Sequence, residues 1–199
     1  TVKNLKLNAK GSKCEDSINF IRVNGDVDNL NILDSNSDGF DADFSRLNIN
    51  NIKIINSGND CVDLSYGNYE LIKVNLSGCG DKGVSIGEKS KVKLKKLIAE
   101  NANVGVATKD YGTFFAENLE LNNVKNCITA YNKKQEFSGG EANIKKINCS
   151  NFNNLFKSDK TSTIKIEENF SKSKKYNKRI WGSSDELQSR RKMCFEKYW

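Results

Sequence analysis

The chain has 199 residues, 32 Lys+Arg against 25 Asp+Glu (net charge +7), six Cys, no Pro and no His. That length suits one domain with a substantial core. The missing histidine excludes a Ser-His-Asp triad, a histidine zinc site and a Cys-His nucleophile, and no apolar run approaches the roughly 20 residues of a spanning helix. The charge is uneven. Residues 1–170 carry 23 basic and 22 acidic side chains, whereas 171–199 carry nine and three. Nucleic-acid binding through this basic tail is not expected, because it holds no recognised motif.

One spacing organises the body. Ile18, Phe40, Val62, Val84, Val106 and Ile128 follow one another every 22 residues. The column before them reads Gly39, Cys61, Gly83, Gly105, Cys127, and a second apolar column reads Ile32, Ile54, Leu76, Ile98. Runs such as "NLNIL", "NIKII" and "GVSIG" alternate like strands and are punctuated by Asn, Gly and Asp. No helical pattern separates them, and the absence of Pro suits strands that all donate to a ladder. The predicted fold is therefore all-β: a right-handed parallel β-helix of about seven coils over residues 1–170, each coil about 4.8 Å above the last. A leucine-rich horseshoe shares the period but needs a dominant Leu pattern. After Ile128 the register is expected to slip by five and resume at Leu155, with "NKKQEFSGG" as a loop grown from one turn. The 28 Asn fit bends of left-handed backbone and side-chain ladders between coils.

At the chain ends, no cap precedes the first coil, so the chain reads as part of a larger protein or assembly. Residues 171–199 form either an appended segment or a cap. Ser183 and Glu186 have capping-box spacing, with Leu187, Arg191, Cys194 and Tyr198 on one helical face. The six cysteines contain no CxxC pair, which argues against a cysteine zinc site. Cys61 and Cys79 lie one coil apart, where a bridge is geometrically open. Cys127 and Cys149 are 22 apart but out of register because of the loop. Free thiols filling coil corners are the alternative for all of them.

Candidate chemistry gathers beside the apolar column. Asp38, Asp60 and Lys82 precede it at 22-residue spacing, and Asp41 and Asp63 follow it, with Asp43 and Lys109 two places further on. Carboxylates stacked on neighbouring coils repel one another and raise each other's pKa. Such a pair can act in glycoside hydrolysis or offer oxygens to Ca²⁺; otherwise it is a solvated face. No other cofactor is expected. Tyr66, Tyr69 and Tyr111 at coil bends are sugar-platform candidates, while Phe114, Phe115, Tyr131, Phe137, Phe152, Phe156 and Phe170 read as buried stacks.

These residues carry two resemblances. "NSDG" (36–39), "GNDCV" (58–62) and "CGDKGVSIG" (79–87) resemble the polygalacturonase-type glycoside hydrolases, which are pectin-lyase-like right-handed β-helices. The resemblance implies that Asp38 and Asp60 match two of three cleft aspartates and that Lys109 matches the substrate lysine. It also implies a bridge near Cys61 and Cys79. Asn59, however, stands at the usual general acid, Lys82 replaces a histidine, and Ala107 stands where an arginine is expected. An Asn cannot protonate a leaving oxygen, so inverting hydrolysis should be lost or very weak.

"GDKGVSIGEKS", "GVATKD" and "AYNKK" are similar to β-helix modules of bacterial surface or secreted proteins, some joined to spore-coat-kinase-like (CotH-type) domains. That resemblance implies a coil-edge polar pattern of Asp41, Asp43, Asp63, Asp81, Lys82, Glu88, Lys89, Lys109 and Asp110. The expected function is a non-catalytic or weakly active module that binds a polysaccharide, for which an anionic one suits the lysines. The assigned roles are Asp38, Asp60, Lys82 and Lys109 as residual catalytic groups and Asp41, Asp43, Asn59, Asp63, Asp81 and Glu88 as ligand contacts. The alternatives are a polysaccharide-active enzyme with an altered site and a structural spacer or adhesive rod. An extracellular or envelope setting follows by analogy.

Overall fold

The computed structural model describes residues 1–172 and 193–195. The chain winds into a parallel β-solenoid of about eight turns, one more than the sequence suggested. No helix occurs among the described residues, and hence none long and apolar enough to cross a membrane. Each coil presents three faces, and alternate side chains point inward. The expected column forms the inner row of the first face: Ile18, Phe40, Val62, Val84, Val106 and Ile128 are consecutive ladder partners. Phe40 to Ile128 are fully buried, and Ile18 packs against them at the first rung. The second face stacks Val2, Val27, Ile49, Leu71, Leu94, Ala116, Ile144 and Ile166. The third stacks Leu7, Ile32, Ile54, Leu76, Ala99, Leu121 and Cys149. Apolar side chains thus fall on top of one another along the whole rod, and their removal from water stabilises it.

The period departs from 22 in the first coil, where Val2 pairs with Val27 and Leu7 with Ile32, and in two later places, one that the sequence missed and one whose length it misjudged. One extra residue enters the corner 87–91, so Leu76 pairs with Ala99 and not Ile98. Ile98 points outward, 36% exposed, and small Ala99 takes the interior place. The loop 132–140 is six residues longer than a plain corner, not five, so Ile128 pairs with Phe156. Leu155 is buried one step earlier, above Cys127, while Phe156 packs on the core half-buried.

Gly39, Gly83 and Gly105 occupy the corner before the first face, where a Cβ would stand 2.6–2.8 Å from the next coil's carbonyl oxygen. Disulfides close that corner elsewhere. Cys61–Cys79 has Cα atoms 5.3 Å apart and Cys127–Cys149 6.4 Å. Cys149 pairs along the ladder with Leu121, so the second bridge crosses the corner between faces and needs no shared register. Two disulfides fit a chain that folds in an oxidising compartment. Of the proposed terminal cap, Met193–Phe195 forms a strand antiparallel to Ile164–Ile166, not a helical turn. The remainder of that suggestion lies outside the described residues.

Candidate functional site

The first face brings the predicted charged residues together, one rung above another. Its edge is a ladder of side chain to backbone bonds. The Asp60 N–H donates to Asp38 Oδ1 at 2.8 Å, and Asn59 Nδ2 donates to the same oxygen at 2.8 Å. One rung on, the Lys82 N–H donates to Asp60 Oδ1 at 3.0 Å, and Lys82 Nζ lies 3.3 Å from it. Lys82 Nζ also binds the Asp81 carboxylate. Each aspartate therefore accepts the next coil's amide and braces the stack. Asp60 is buried, and desolvation pushes its carboxyl up to about 6 against the pull of Lys82. Burial also raises Asp38. It opposes charge on Lys82, but Asp81 and Asp60 hold the ammonium above its ordinary value.

The next outward column is acidic. Asp41 and Asp63 are ladder partners, as are Asp43 and Ser65. Asn19 Nδ2 donates to Asp41 Oδ2 at 2.9 Å. Partial burial, then repulsion from Asp43, Asp16 and Asp63, pushes Asp41 up to about 7. Burial and Asp63 raise Asp43 too. Asp63 Oδ1 is buried without a hydrogen-bond partner among the described residues. Further along the face Ser85, Ala107 and Thr129 continue the Asp41–Asp63 column and are buried. Lys109 is buried as well. Its side chain lies across Gly87, where a Cβ would stand 3.1 Å from Lys109 Cε, and it forms no ion pair among the described residues.

The loop 132–140 folds back over this end of the face. Asp110 Oδ1 accepts the N–H groups of Lys133 and Lys134 at 2.7 and 2.9 Å. Tyr111 N–H donates to Gly139 O at 3.1 Å. Lys134 Nζ meets Glu88 Oε1 at 2.5 Å, and Ser65 Oγ donates to Glu88 Oε2 at 2.5 Å. Desolvation would raise Glu88, but these two partners hold it below its ordinary value. Phe137, in the same loop, lies edge-on to Tyr66 at 6.4 Å and to Tyr111 at 6.0 Å, with Lys89 Nζ 5.7 Å above its ring.

Beside the acids runs a corner of which the sequence singled out Tyr66, Lys89 and Tyr111 but not Arg22 and Phe44. Arg22, Phe44, Tyr66, Lys89 and Tyr111 all turn the chain at positive φ, between 50° and 61°. The Arg22 guanidinium sits 5.2 Å above Phe44, and Phe44 stacks on Tyr66 at 4.6 Å and 7°. Phe44 is 49% exposed and Tyr111 51%. Stepping 22 back from Tyr66 would have revealed Phe44 and Arg22; no sequence signal placed Lys134 or Phe137 against them. Tyr69, by contrast, is buried, its hydroxyl donating to Ala42 O at 2.7 Å, so it is no sugar platform.

Among the described residues no group of three or more Cys, Asp or Glu is placed to hold a metal ion. The face offers hydrogen-bond acceptors at Asp41, Asp43 and Asp63, a rim of aromatic edges, and Lys89 and Lys134 as its exposed cations. Comparison with protein-family models, with curated proteins and with solved structures finds no match for this chain, so its fold and site stand on its own residues.

Proposed function

We propose that this chain is a pectin-lyase-like β-helix module of an extracellular or envelope protein that binds an extended polysaccharide along its first face. The supporting observation is the acidic column Asp41–Asp63 running parallel to the partly exposed corner Phe44–Tyr66–Tyr111. Carboxylates accept hydrogen bonds from sugar hydroxyls, aromatic side chains cover the apolar faces of sugar rings, and the rung spacing supplies a linear array. In this reading Asp38 and Asp60 brace the stack, since one oxygen of each accepts the next coil's backbone N–H. An acidic polysaccharide meets Lys89 and Lys134 at the rim, and its repulsion falls as Asp41 gains a proton. Calorimetry with oligogalacturonate and alginate fragments, from pH 8 to pH 6, tests this. Binding should tighten toward pH 6 and weaken several-fold in Tyr111→Ala or Lys134→Ala. No heat with any glycan at either pH would retire the reading.

A second reading, a weak hydrolase, draws on Asp41. A carboxyl that keeps its proton to about pH 7, one rung from Asp63, has the pairing of an acid with a second carboxylate. Slow release of reducing ends that disappears in Asp41→Asn and persists in Asp38→Asn would select it.

A further inference from the structure

At the opposite edge of the first face from the aromatic corner, the solenoid leaves its third face, on the way to the next coil's first face, through another left-handed column: Asp34, Asn56, Gly78, Asn101, Asn123 and Asn151. Two neighbouring concavities open along it. One of about 450 Å³ is lined by Asp34, Asn36, Asn56, Gly58 and Gly78, among others. The other, about 350 Å³, is lined by Gly80, Asn101, Asn103, Asn123 and Asn153. They abut where a methyl group built on Gly80 would stand 2.1 Å from Gly58 O, so the floor there is bare backbone. Six coils at about 4.8 Å per rung make a trough roughly 24 Å long.

We propose that this trough is a second binding site, for an uncharged, hydroxyl-rich polymer: a neutral glycan chain. Its walls carry carboxamides on five of the six coils, the exception being the coil of Gly78 and Gly80, which presents bare backbone. Asn56 Nδ2 donates to Asp34 Oδ1 at 2.9 Å, Asn123 Nδ2 to Asn101 Oδ1 at 2.6 Å, and Asn103 Nδ2 to Gly80 O at 2.7 Å. Each bond uses one of an amide's two N–H groups and leaves further donor and acceptor capacity for a ligand's hydroxyls. A bulge adds to the arrangement. Cys79 and Lys82 are ladder partners of Ala102 and Val104, so Gly80 and Asp81 together oppose Asn103 and its amide is re-aimed at mid-trough. Lys125 is the one charged side chain lining the Gly80 half, while Lys10 and Asp34 offset each other in the other half. A polyanion or polycation therefore finds no matching row. An extended peptide is a poorer fit, because the walls offer amides and hydroxyls and no apolar pocket for its side chains.

This site is independent of the first face, and the experiment separates them. The full 199-residue chain, labelled with ¹⁵N, is titrated separately with xylohexaose, cellohexaose and mannohexaose, and with oligogalacturonate. At least one neutral hexasaccharide should move the side-chain amide signals of Asn103, Asn123 and Asn153 and leave those of the Phe44–Tyr111 corner in place. The Asn103→Ala/Asn153→Ala pair should weaken that binding about tenfold, as loss of two hydrogen bonds implies. It should leave the pH-dependent oligogalacturonate response intact. Asn153→Ala alone serves if loss of the Asn103–Gly80 bond impairs folding. The proposal falls if millimolar neutral hexasaccharides leave these amides unmoved or act only at the aromatic corner. It also falls if a Gly-Ser hexapeptide moves the amides as strongly.

Discussion

Two corners of this solenoid solve the same backbone problem with opposite residues. At the corner of Asn56, Asn101, Asn123 and Asn151, the left-handed turn is made by the side chain that tolerates it best, and the amides join successive coils. At the corner of Arg22, Phe44, Tyr66 and Tyr111 it is made by bulky residues for which positive φ is strained. Such strain costs about 1–3 kcal/mol per residue. Ring stacking offsets only about 0.5–1.5 kcal/mol per pair. The difference teaches that the asparagine corner suits winding, whereas the aromatic corner bears a strain that its stacking does not fully offset, as the proposed binding role of its outward side chains would require.

The comparison breaks most sharply at the backbone of the asparagine side. Gly58→Ala places a Cβ 2.0 Å from Asn36 O and should cost about 4 kcal/mol or prevent folding. Gly25→Ala, with nothing within 4 Å of its Cβ, should leave thermal unfolding almost unchanged. Next, Asn123→Ala should lower stability by about 1–2 kcal/mol, since it loses the ladder bond and puts alanine at positive φ. Tyr66→Asn at the other corner trades stacking for relief of strain and should change stability by under about 1 kcal/mol while weakening glycan binding. Equal destabilisation in denaturant melts, with binding intact, would erase the distinction.

A smaller effect concerns the acids beside the aromatic corner. Asp41 titrates at about 7 in the folded chain, above its ordinary value of 3.8, so folding favours its protonated form. The stability this contributes is complete below about pH 4 and is lost as pH rises through about 7. Asp41→Asn should thus raise stability at pH 8 by about 1–2 kcal/mol, a figure reduced for solvent screening of a half-buried group, and change little at pH 4. A shift of the same size at both pH values would refute the electrostatic origin.

The winding was legible because a buried row must repeat wherever coils stack, and six apolar residues from Ile18 to Ile128 show that repeat unbroken. Ile98 misled because one residue added at the 87–91 corner moves the third face by a step, which flips every side chain on it. The alignment of Asp38, Asp60 and Lys82 was readable as spacing. Its bonding was not, because nothing in the spacing shows that one oxygen of each aspartate accepts the next rung's backbone N–H. Lys134 and Phe137 were beyond reach for another reason: a loop's fold-back depends on distant partners such as Glu88 and Tyr66. The asparagine load was read as ladders, and ladders such as Asn123–Asn101 and Asn154–Asn126 are present. The trough they border needed coordinates.

The six added residues of the 132–140 loop leave the rows on either side aligned, since Ile128 meets Phe156 just as Val106 meets Ile128. Length is therefore a free variable at that bend. Foreign segments spliced between Asn132 and Gly139 would be displayed from a rigid rod at a fixed height, so new recognition could evolve, or be engineered, without renegotiating the interior.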